Sequence, residues 1–266
     1  MTGPESREEK LRLAALRARL PAGRGGLLRW PEAVDSTNTR LKEWARQGAP
    51  AGSVLLAETQ GAGRGRLGRS FASPPGGLYL SYLLRPAQAP EDLGEITAWV
   101  AVAVRRALGR CCGFWPEIKW VNDLLREGRK LCGILCEAVL NRDKVESLVL
   151  GIGINVGTSP EDFPPELRRT AASLRSLGLP VPEKSVLAAE LICSLDEMTA
   201  DFPRRRHEYL AEYRSACITL GQEVTLSDGS TALAEGLDED FSLLLRLPGG
   251  GMQKLRSGEA TLHREG

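Results

Sequence analysis

The chain has 266 residues, a length that fits one large domain, alone or followed by a small one. Hydrophobic residues make up 42% of it and charged residues 26%, a balance typical of a globular protein with a sizeable core. The 35 basic and 34 acidic residues leave a net charge of +1, which argues against a dedicated nucleic-acid-binding protein. Lysine is scarce, at 7 residues against 28 arginines, so the position of each lysine carries information.

The sequence carries no pattern for a membrane span, a signal peptide or a zinc site. No apolar run reaches the roughly 18 residues that a bilayer requires, and arginines interrupt the apolar segment 11–20. The 6 cysteines include no CxxC pair, and 2 histidines are too few for a His-based zinc site. We therefore expect a cytoplasmic protein whose cysteines are reduced and mostly buried.

The spacing of apolar residues and the turn signals predict the elements of the first 216 residues. In chain order they are a helix over 5–20, a strand over 27–34, a helix from the capping run 35–38 to Gly48, strands over 53–58 and 78–84, a helix over 92–108, strands over 118–125, 131–140 and 145–156, and a helical segment over 185–214 that breaks near Pro203. Turn residues between the last three strands predict an antiparallel meander.

The pattern changes near residue 216, where we place a domain boundary. Short strands over 219–226, 230–237, 242–247 and 253–256 are separated by glycine- and aspartate-containing turns, a spacing typical of a small barrel. The expected organisation is therefore a larger α+β domain over 1–216 and a small β domain over 217–266.

A loop rich in glycine and arginine, residues 61–69, follows the second predicted strand. Glycines leave backbone N–H groups open and arginines pair with phosphate oxygens, so the loop indicates phosphate binding. It lacks the Lys-Ser/Thr pair of the P-loop and the spacing of the GxGxxG fingerprint. A flexible surface loop or a binder of single-stranded nucleic acid would show the same pattern.

Two other segments combine polar residues with a strand end. Lys119, Asn122 and Asp123 could contact phosphate together, and an aspartate beside phosphates requires a cation such as Mg²⁺ between them. In residues 151–156, glycines alternate with apolar residues and flatten one face of a strand before Asn155. An ordinary Asn-Asp turn and a tight packing site would explain these two segments equally well.

Lys130 opens a third segment, residues 130–137. With a two-residue period it shares a face with Cys132, Ile134 and Cys136. A lysine in that position is either exposed at the start of the strand or turned inward for a reason. Its nearness to Lys119, in a chain with few lysines, favours the inward orientation.

Together and in this order, the segments resemble the biotin protein ligases, also called biotin–acetyl-CoA-carboxylase ligases. The matching segments are Asp35-Ser36-Thr37-Asn38, Gly63-Arg64-Gly65-Arg66-x-Gly68-Arg69, Lys119-Trp120-x-Asn122-Asp123, Lys130-x-x-Gly133-Ile134-Leu135 and Gly151-Ile152-Gly153-Ile154-Asn155. The resemblance is strong over 27–160 and weak in the C-terminal part. It implies the class II synthetase-like fold of biotin/lipoate ligases, an α+β domain whose mixed or antiparallel sheet has helices on one side, followed by a small SH3-like β-barrel.

The resemblance implies an ATP-dependent ligase that works in two half-reactions. The carboxylate of biotin attacks the α-phosphate of ATP, which gives biotinyl-5′-AMP and pyrophosphate. A lysine amine of a biotin carboxyl carrier domain then takes the biotinyl group and releases AMP. ATP and Mg²⁺ are the implied cofactors. Both steps gather negative charge on oxygen atoms, so positioned cations are the expected catalytic equipment.

The resemblance also implies a role for individual residues. Lys130, Arg66 and Arg64 are implied for catalysis, with Lys130 between the biotin carboxylate and the α-phosphate and the arginines closing over the adenylate. The implied biotin-binding residues are Ser36, Thr37, Asn38, Gln60, Gly63, Arg64, Lys130, Gly133 and Gly151. The implied nucleotide and Mg²⁺ contacts are Arg66, Arg69, Phe71, Lys119, Asn122, Asp123 and Asn155, with Asp123 as the metal ligand.

The sequence departs from the family pattern at three positions: Val121 stands where proline is usual, Phe71 where tryptophan is expected, and His263 where some members place a C-terminal arginine. About 26 residues precede the first predicted strand, too few for the DNA-binding domain of the bifunctional members. We therefore expect a ligase without DNA binding, whose partner is a biotin carboxyl carrier domain. No membrane partner is expected, and a homodimer is left open.

Other functions stay open at this point. A lipoate or octanoate ligase shares the fold and a similar lysine, although the loop 63–66 and the segment 36–38 favour biotin. An octanoyl transferase would need an activated cysteine, and Cys132 and Cys136 lie among apolar residues. A nucleic-acid-binding module is disfavoured by the net charge of +1 and by an aromatic content of 5%.

Overall fold

The structure is a computed structural model that describes residues 5–86, 93–141 and 144–262. Its helices are α1 (Arg7–Arg17), α2 (Thr37–Arg46), α3 (Leu93–Cys112), α4 (Lys184–Asp201) and α5 (Arg206–Ala216). Its strands are β1 (Leu28–Arg29), β2 (Ala33–Val34), β3 (Val54–Ala57), β4 (Thr59–Gln60), β5 (Leu78–Leu84), β6 (Glu117–Lys119), β7 (Asp123–Arg126), β8 (Arg129–Asn141), β9 (Lys144–Ile154), β10 (Glu223–Leu226), β11 (Thr231–Leu237), β12 (Leu243–Arg246), β13 (Met252–Leu255) and β14 (Ala260–Leu262).

A seven-stranded mixed sheet has the strand order β1-β3-β5-β9-β8-β7-β6. β1 runs parallel to β3, and the other neighbours are antiparallel. β6 to β9 form the predicted meander, and its turn at 142–143 lies outside the described residues. Asp92, the predicted first residue of the third helix, also lies outside them. The mixed sheet therefore agrees with the fold that the sequence implied.

Helices cover both faces of this sheet, so the prediction that they lie on one side is wrong. α3 packs against β8 and α4 against β5, whereas α2 packs against β5, β8 and β9. Beneath α2 lies a second apolar cluster that includes Leu41, Leu83 and Val149. A strand covered on both faces has no solvent side, which is why all residues of β5 are buried and its sequence does not alternate.

The C-terminal strands form a five-stranded antiparallel sheet in the order β13-β12-β11-β10-β14. Its last strand, β14, was not predicted. Among the described residues no ladder joins β13 to β14, so the closed SH3-like barrel stays a prediction. Among all the residues that the structure describes, no helix is long and apolar enough to cross a membrane.

The strand predicted over 118–125 is wrong, because the chain reverses there to form the β6–β7 hairpin. Trp120 lies in the turn, where the Trp120–Val121 peptide bond is cis. Its backbone N–H donates to Thr219 Oγ1 and its indole N–H to the Phe241 carbonyl, each at 2.9 Å. Local periodicity could not reveal the turn, because these partners come from the C-terminal part of the chain. The strand predicted over 27–34 is likewise divided, into β1 and β2.

The Trp120 indole yields a stability prediction. Replacing Trp120 with Phe removes the donor to the buried Phe241 carbonyl, so we expect the free energy of unfolding to fall by about 1–3 kcal/mol in urea denaturation. Trp115, which is 48% exposed, provides the control. Its replacement by Phe should cost less than about 1 kcal/mol. Equal losses in the two variants would contradict a specific role for the indole hydrogen bond.

Candidate active site

Two adjoining cavities lie where the N-terminus of α2, the loop 61–71 and the β6–β7 turn meet the sheet. The first, of about 50 Å³, lies over β8 and β9, and the second, of about 160 Å³, extends to the segment 258–261. They share Arg66, Phe71, Asn122 and Lys130 as parts of their walls. Of the site residues expected from the sequence, all except Gly63 and Asn155 line at least one cavity.

A larger open groove, of about 1140 Å³, lies between the segment after α1 and α2. None of the site residues expected from the sequence lines it. Two arginines in its wall are already paired, since Arg24 binds Asp196 and Arg40 binds Asp35. We therefore place the candidate site in the two smaller cavities.

The α2 end of the first cavity is a network of hydroxyl and amide groups. Ser36 caps α2, where its Oγ accepts the N–H of Thr39 at 3.4 Å. The N–H and the hydroxyl of Thr37 both donate to Gln60 Oε1, at 2.8 and 3.1 Å. Ser81 Oγ lies 2.8 Å from the Thr37 hydroxyl. These groups give the wall both donors and acceptors, which a polar ring needs on its partners.

Asn38 and Arg64 are joined through the carboxylate of Glu137. Asn38 Nδ2 donates to Glu137 at 2.9 Å, and Asn38 Oδ1 accepts from Ser81 Oγ at 2.6 Å. Lys42 Nζ and the Arg64 guanidinium approach the same carboxylate at 2.8 and 3.2 Å. Burial opposes the charge of Glu137, but the hydrogen bonds from Lys42 and Asn38 prevail and hold its pKa below the ordinary value.

The sheet beneath the first cavity carries glycine at three neighbouring positions. A Cβ on Gly151 would lie 2.2 Å from Asn38 Oδ1, and one on Gly153 would lie 2.4 Å from the Phe71 ring. A Cβ on Gly133 would lie 2.8 Å from the same ring. Asn38 and Phe71 can therefore lie directly on the strands only because these positions have no side chain.

The loop 61–71 folds back on itself. The N–H of Phe71 donates to the Gly63 carbonyl at 2.9 Å, and the N–H of Gly65 donates to the Arg69 carbonyl at 2.7 Å. A Cβ on Gly63 would lie 2.3 Å from the Phe71 carbonyl oxygen. Gly63 therefore allows the two arms of the loop to approach closely, and it lines neither cavity.

Two arginines of this loop reach the C-terminal part of the chain. Arg66 donates to Asn122 Oδ1 and to the Gly258 carbonyl, each at 3.0 Å. Arg69 makes a two-point contact with Glu259 at 2.6 and 2.8 Å. The sequence motifs gave Gly258 and Glu259 no role in the site, and these residues follow the arginine loop by nearly two hundred positions.

A β-bulge turns Lys130 toward the cavities. Leu124 pairs with Cys132 and Leu125 with Lys130, so Leu131 is left without a partner in that ladder. The expectation that Lys130 shares a face with Cys132 is therefore wrong, because the extra residue shifts the alternation. The inward orientation, one of the two alternatives, is the one observed.

Lys130 Nζ lies 2.7 Å from Asp123 Oδ1 and 5.7 Å from the centre of the Phe71 ring. Asn155 lies behind it, 4% exposed, with Nδ2 donating to the Ala172 carbonyl at 3.0 Å. Among the described residues, Asn155 Oδ1 has no hydrogen-bond partner although it is buried. Lys130 thus lies at the junction of the two cavities, whereas the role of Asn155 in nucleotide binding stays a prediction.

The cysteines do not belong to this site. All six are free thiols, and neither Cys132 nor Cys136 lines a cavity. Burial raises the pKa of Cys136 to about 12 and raises that of Cys132 strongly. Within the described residues, no three His, Cys, Asp or Glu side chains converge as a metal site would require. Asp123 would therefore need further ligands from a bound molecule to hold Mg²⁺.

Comparisons with known proteins agree with this architecture. Residues 30–155 match the Biotin/lipoate A/B protein ligase family. The chain is 32% identical over 251 residues to the bifunctional ligase/repressor BirA of Bacillus subtilis, covering 90% of this chain and 74% of that protein. It is 32% identical over 224 residues to the biotin--[acetyl-CoA-carboxylase] ligase of Mycobacterium tuberculosis, covering 80% and 81%. This chain belongs to the biotin/lipoate A/B protein ligase family.

A solved structure provides the corresponding match in three dimensions. The biotin protein ligase from Aquifex aeolicus, in complex with biotin and ATP, superposes with a TM-score of 0.77 at 31% identity. The match covers 90% of this chain and 99% of that one. The family that the sequence motifs indicated is therefore confirmed by both kinds of comparison.

Thiol labelling tests the assignment of the cysteines. A raised pKa keeps a thiol mostly neutral, and therefore slow to react, at pH values well below it. We expect iodoacetamide at pH 8.5 to leave Cys132 and Cys136 unmodified in the folded protein and to modify both in urea, as read by peptide mass spectrometry. The half-buried Cys193 is the internal control and should react faster in the folded state. Rapid modification of Cys136 in the folded protein would contradict its burial.

Proposed function

We propose that this protein is an ATP-dependent ligase that activates biotin as biotinyl-5′-AMP and transfers it to a lysine of a biotin carboxyl carrier protein. The observation that carries the proposal is the position of Lys130, whose side chain belongs to the walls of both cavities. A cation at that junction can touch a carboxylate in one cavity and a phosphate in the other. Two of the proteins described above are named as biotin ligases, and one of these was solved with biotin and ATP.

We assign the first cavity to biotin. The ureido ring needs donors and acceptors, and Thr37, Asn38 and Gln60 offer both. The Phe71 ring lies over Gly133 and Gly153 and narrows this cavity of about 50 Å³. A shift of the ring and its loop on biotin binding would uncover the glycines for the carbon chain.

We assign the second cavity to the nucleotide. Arg66, Arg69, Lys119 and Lys130 contribute cationic side chains to its wall, as the binding of a polyphosphate requires. Asp123 and the phosphate oxygens together would hold Mg²⁺, which in proteins keeps several waters and takes one or two carboxylates. When bound there, the metal ion would neutralise phosphate charge.

The chemistry needs positioning and charge neutralisation rather than a covalent nucleophile. Lys130 leaves Asp123 and lies between the two anions, so that a biotin carboxylate oxygen bonds to the α-phosphorus as the bond to pyrophosphate breaks. Arg66 and Arg69 cover the resulting anhydride and exclude water. In the second step the carrier lysine bonds to the carbonyl carbon, AMP leaves and the amine loses a proton.

Four finer points belong to the same proposal. We propose that the C-terminal sheet is an SH3-like barrel and that the domains meet at residue 216, where α5 ends. We propose a carrier domain as the protein partner and the cytoplasm as the site of action. A lipoate or octanoate ligase of the same fold is the second candidate, and the named ligases among the relatives favour biotin.

Isotope exchange tests the function. Purified protein with ATP, Mg²⁺ and labelled pyrophosphate should form labelled ATP only when biotin is added, because pyrophosphate release follows biotin activation. Lipoate and octanoate, added alone and in competition, provide the specificity control and should neither support nor inhibit the exchange. Exchange with lipoate but not with biotin would replace the proposal by the second candidate, and no exchange with any acid would end it.

Lys130 provides a sharper test of the mechanism. Lys130→Ala should lower biotin-dependent exchange at least about 100-fold, the usual cost of removing a group that stabilises developing charge. Lys144→Ala removes an exposed lysine at the start of β9 and should leave the rate unchanged. Full activity of the Lys130 variant, checked for folding by circular dichroism, would remove Lys130 from the site.

A further inference from the structure

Glu137 is a charged group beside the first cavity to which neither the motifs nor the mechanism gave a role. Its side chain is only 17% exposed, and its carboxylate meets three polar side chains. They come from two different elements, since Asn38 and Lys42 belong to α2 and Arg64 to the loop 61–71. A single half-buried carboxylate on β8 therefore joins the elements that surround the cavity.

The contacts have different consequences for the cavity. Asn38 and Arg64 line it, whereas Lys42 does not. Asn38 Nδ2 donates to Glu137 at 2.9 Å and to the Leu135 carbonyl at 3.2 Å, and Asn38 Oδ1 accepts from Ser81, so the carboxylate is the charged member of the set of partners that orients the amide. The Arg64 guanidinium is half-exposed, and its ion pair with Glu137 holds this part of the cationic loop against α2 and β8.

The charges balance around this carboxylate. If Lys42 alone neutralised this carboxylate, the half-exposed Arg64 would gain little by pairing with it, because surface ion pairs contribute little to stability. Here the carboxylate also accepts from Asn38, which leaves each of its oxygens in a polar contact and favours the ionised form. The negative charge is thus available at the cavity edge for the loop arginine.

We infer that Glu137 is the positioning residue of the biotin half of the site, where its carboxylate orients Asn38 and holds Arg64 and its loop over the first cavity. The inference rests on the proposed function. It assigns Glu137 no contact with biotin itself, since the carboxylate acts through the two side chains that line the cavity. Nucleotide binding in the second cavity should depend on it much less.

Glu137→Gln keeps the size of the side chain and an acceptor for Asn38 but removes the charge that holds Arg64. We expect KM for biotin to rise about tenfold in the exchange reaction, equivalent to about 1.4 kcal/mol. KM for ATP should change less than about threefold. Direct calorimetry with biotin alone should show a matching loss of affinity in the absence of ATP.

Glu58→Gln is the matched control. Glu58 pairs with Lys184 at 2.6 Å and is 20% exposed, close to Glu137 in burial, but it lines neither cavity. Both variants lose a half-buried ion pair, so both should show a lower melting temperature. Only Glu137→Gln should shift KM for biotin, and equal KM values in the two variants would overturn the inference.

A double variant separates positioning from simple burial of an unpaired lysine. Lys42→Met combined with Glu137→Gln removes both charges, which should recover the melting temperature but leave KM for biotin high, because Arg64 still has no anchor. Recovery of KM as well would show that the defect came from the stranded Lys42 charge, and would overturn the inference. If the wild type shows no biotin-dependent exchange, the proposed function fails instead, so the two failures are distinguishable.

Discussion

The site depends on the absence of side chains at three positions of one sheet face. Gly151 and Gly153 on β9 and Gly133 on β8 leave the backbone bare where α2 and the loop 61–71 come down on the strands. A single methyl group at Gly151 would stand 2.2 Å from the Asn38 amide, too close for that side chain to keep its place. A strand buried on both faces normally fills such positions with large apolar residues. Here the close approach of polar groups replaces that packing.

Charge compensation is the second constraint, and it explains how so many cations can share a small volume. Arg64 pairs with Glu137, Arg69 with Glu259, and Lys130 with Asp123. Each partner lies on a different element, so the loop and the lysine are held from three directions. A phosphate can replace a carboxylate as the partner of a guanidinium or an ammonium at little electrostatic cost, because one anion takes the place of another.

Much of the fold and of the site could be predicted from the sequence, for reasons tied to particular residues. β5 was predicted with its observed bounds, because a continuous apolar run between turn residues has one good interpretation. The site motifs came together because the start of α2, the loop 61–71 and the β6–β7 turn all meet the strands β8 and β9. The hairpin at Trp120 was missed, since its partners Thr219 and Phe241 are distant in sequence. The sequence did not predict which face of the sheet α2 covers. A helical apolar pattern shows which side of the helix is buried, but not which face of the sheet it packs against.

The sequence by itself determined the family, the order of most elements and the residue types of the site, because those follow from local composition and from motifs in register. Only the tertiary structure decided which way Lys130 points, since a one-residue bulge at Leu131 reverses the alternation that periodicity assumes. It alone brought Glu137 to Arg64 and Glu259 to Arg69, pairs that join distant segments through space. Sequence patterns report the backbone's local preferences, whereas the orientation of a charged side chain is set by the non-local partners that neutralise it.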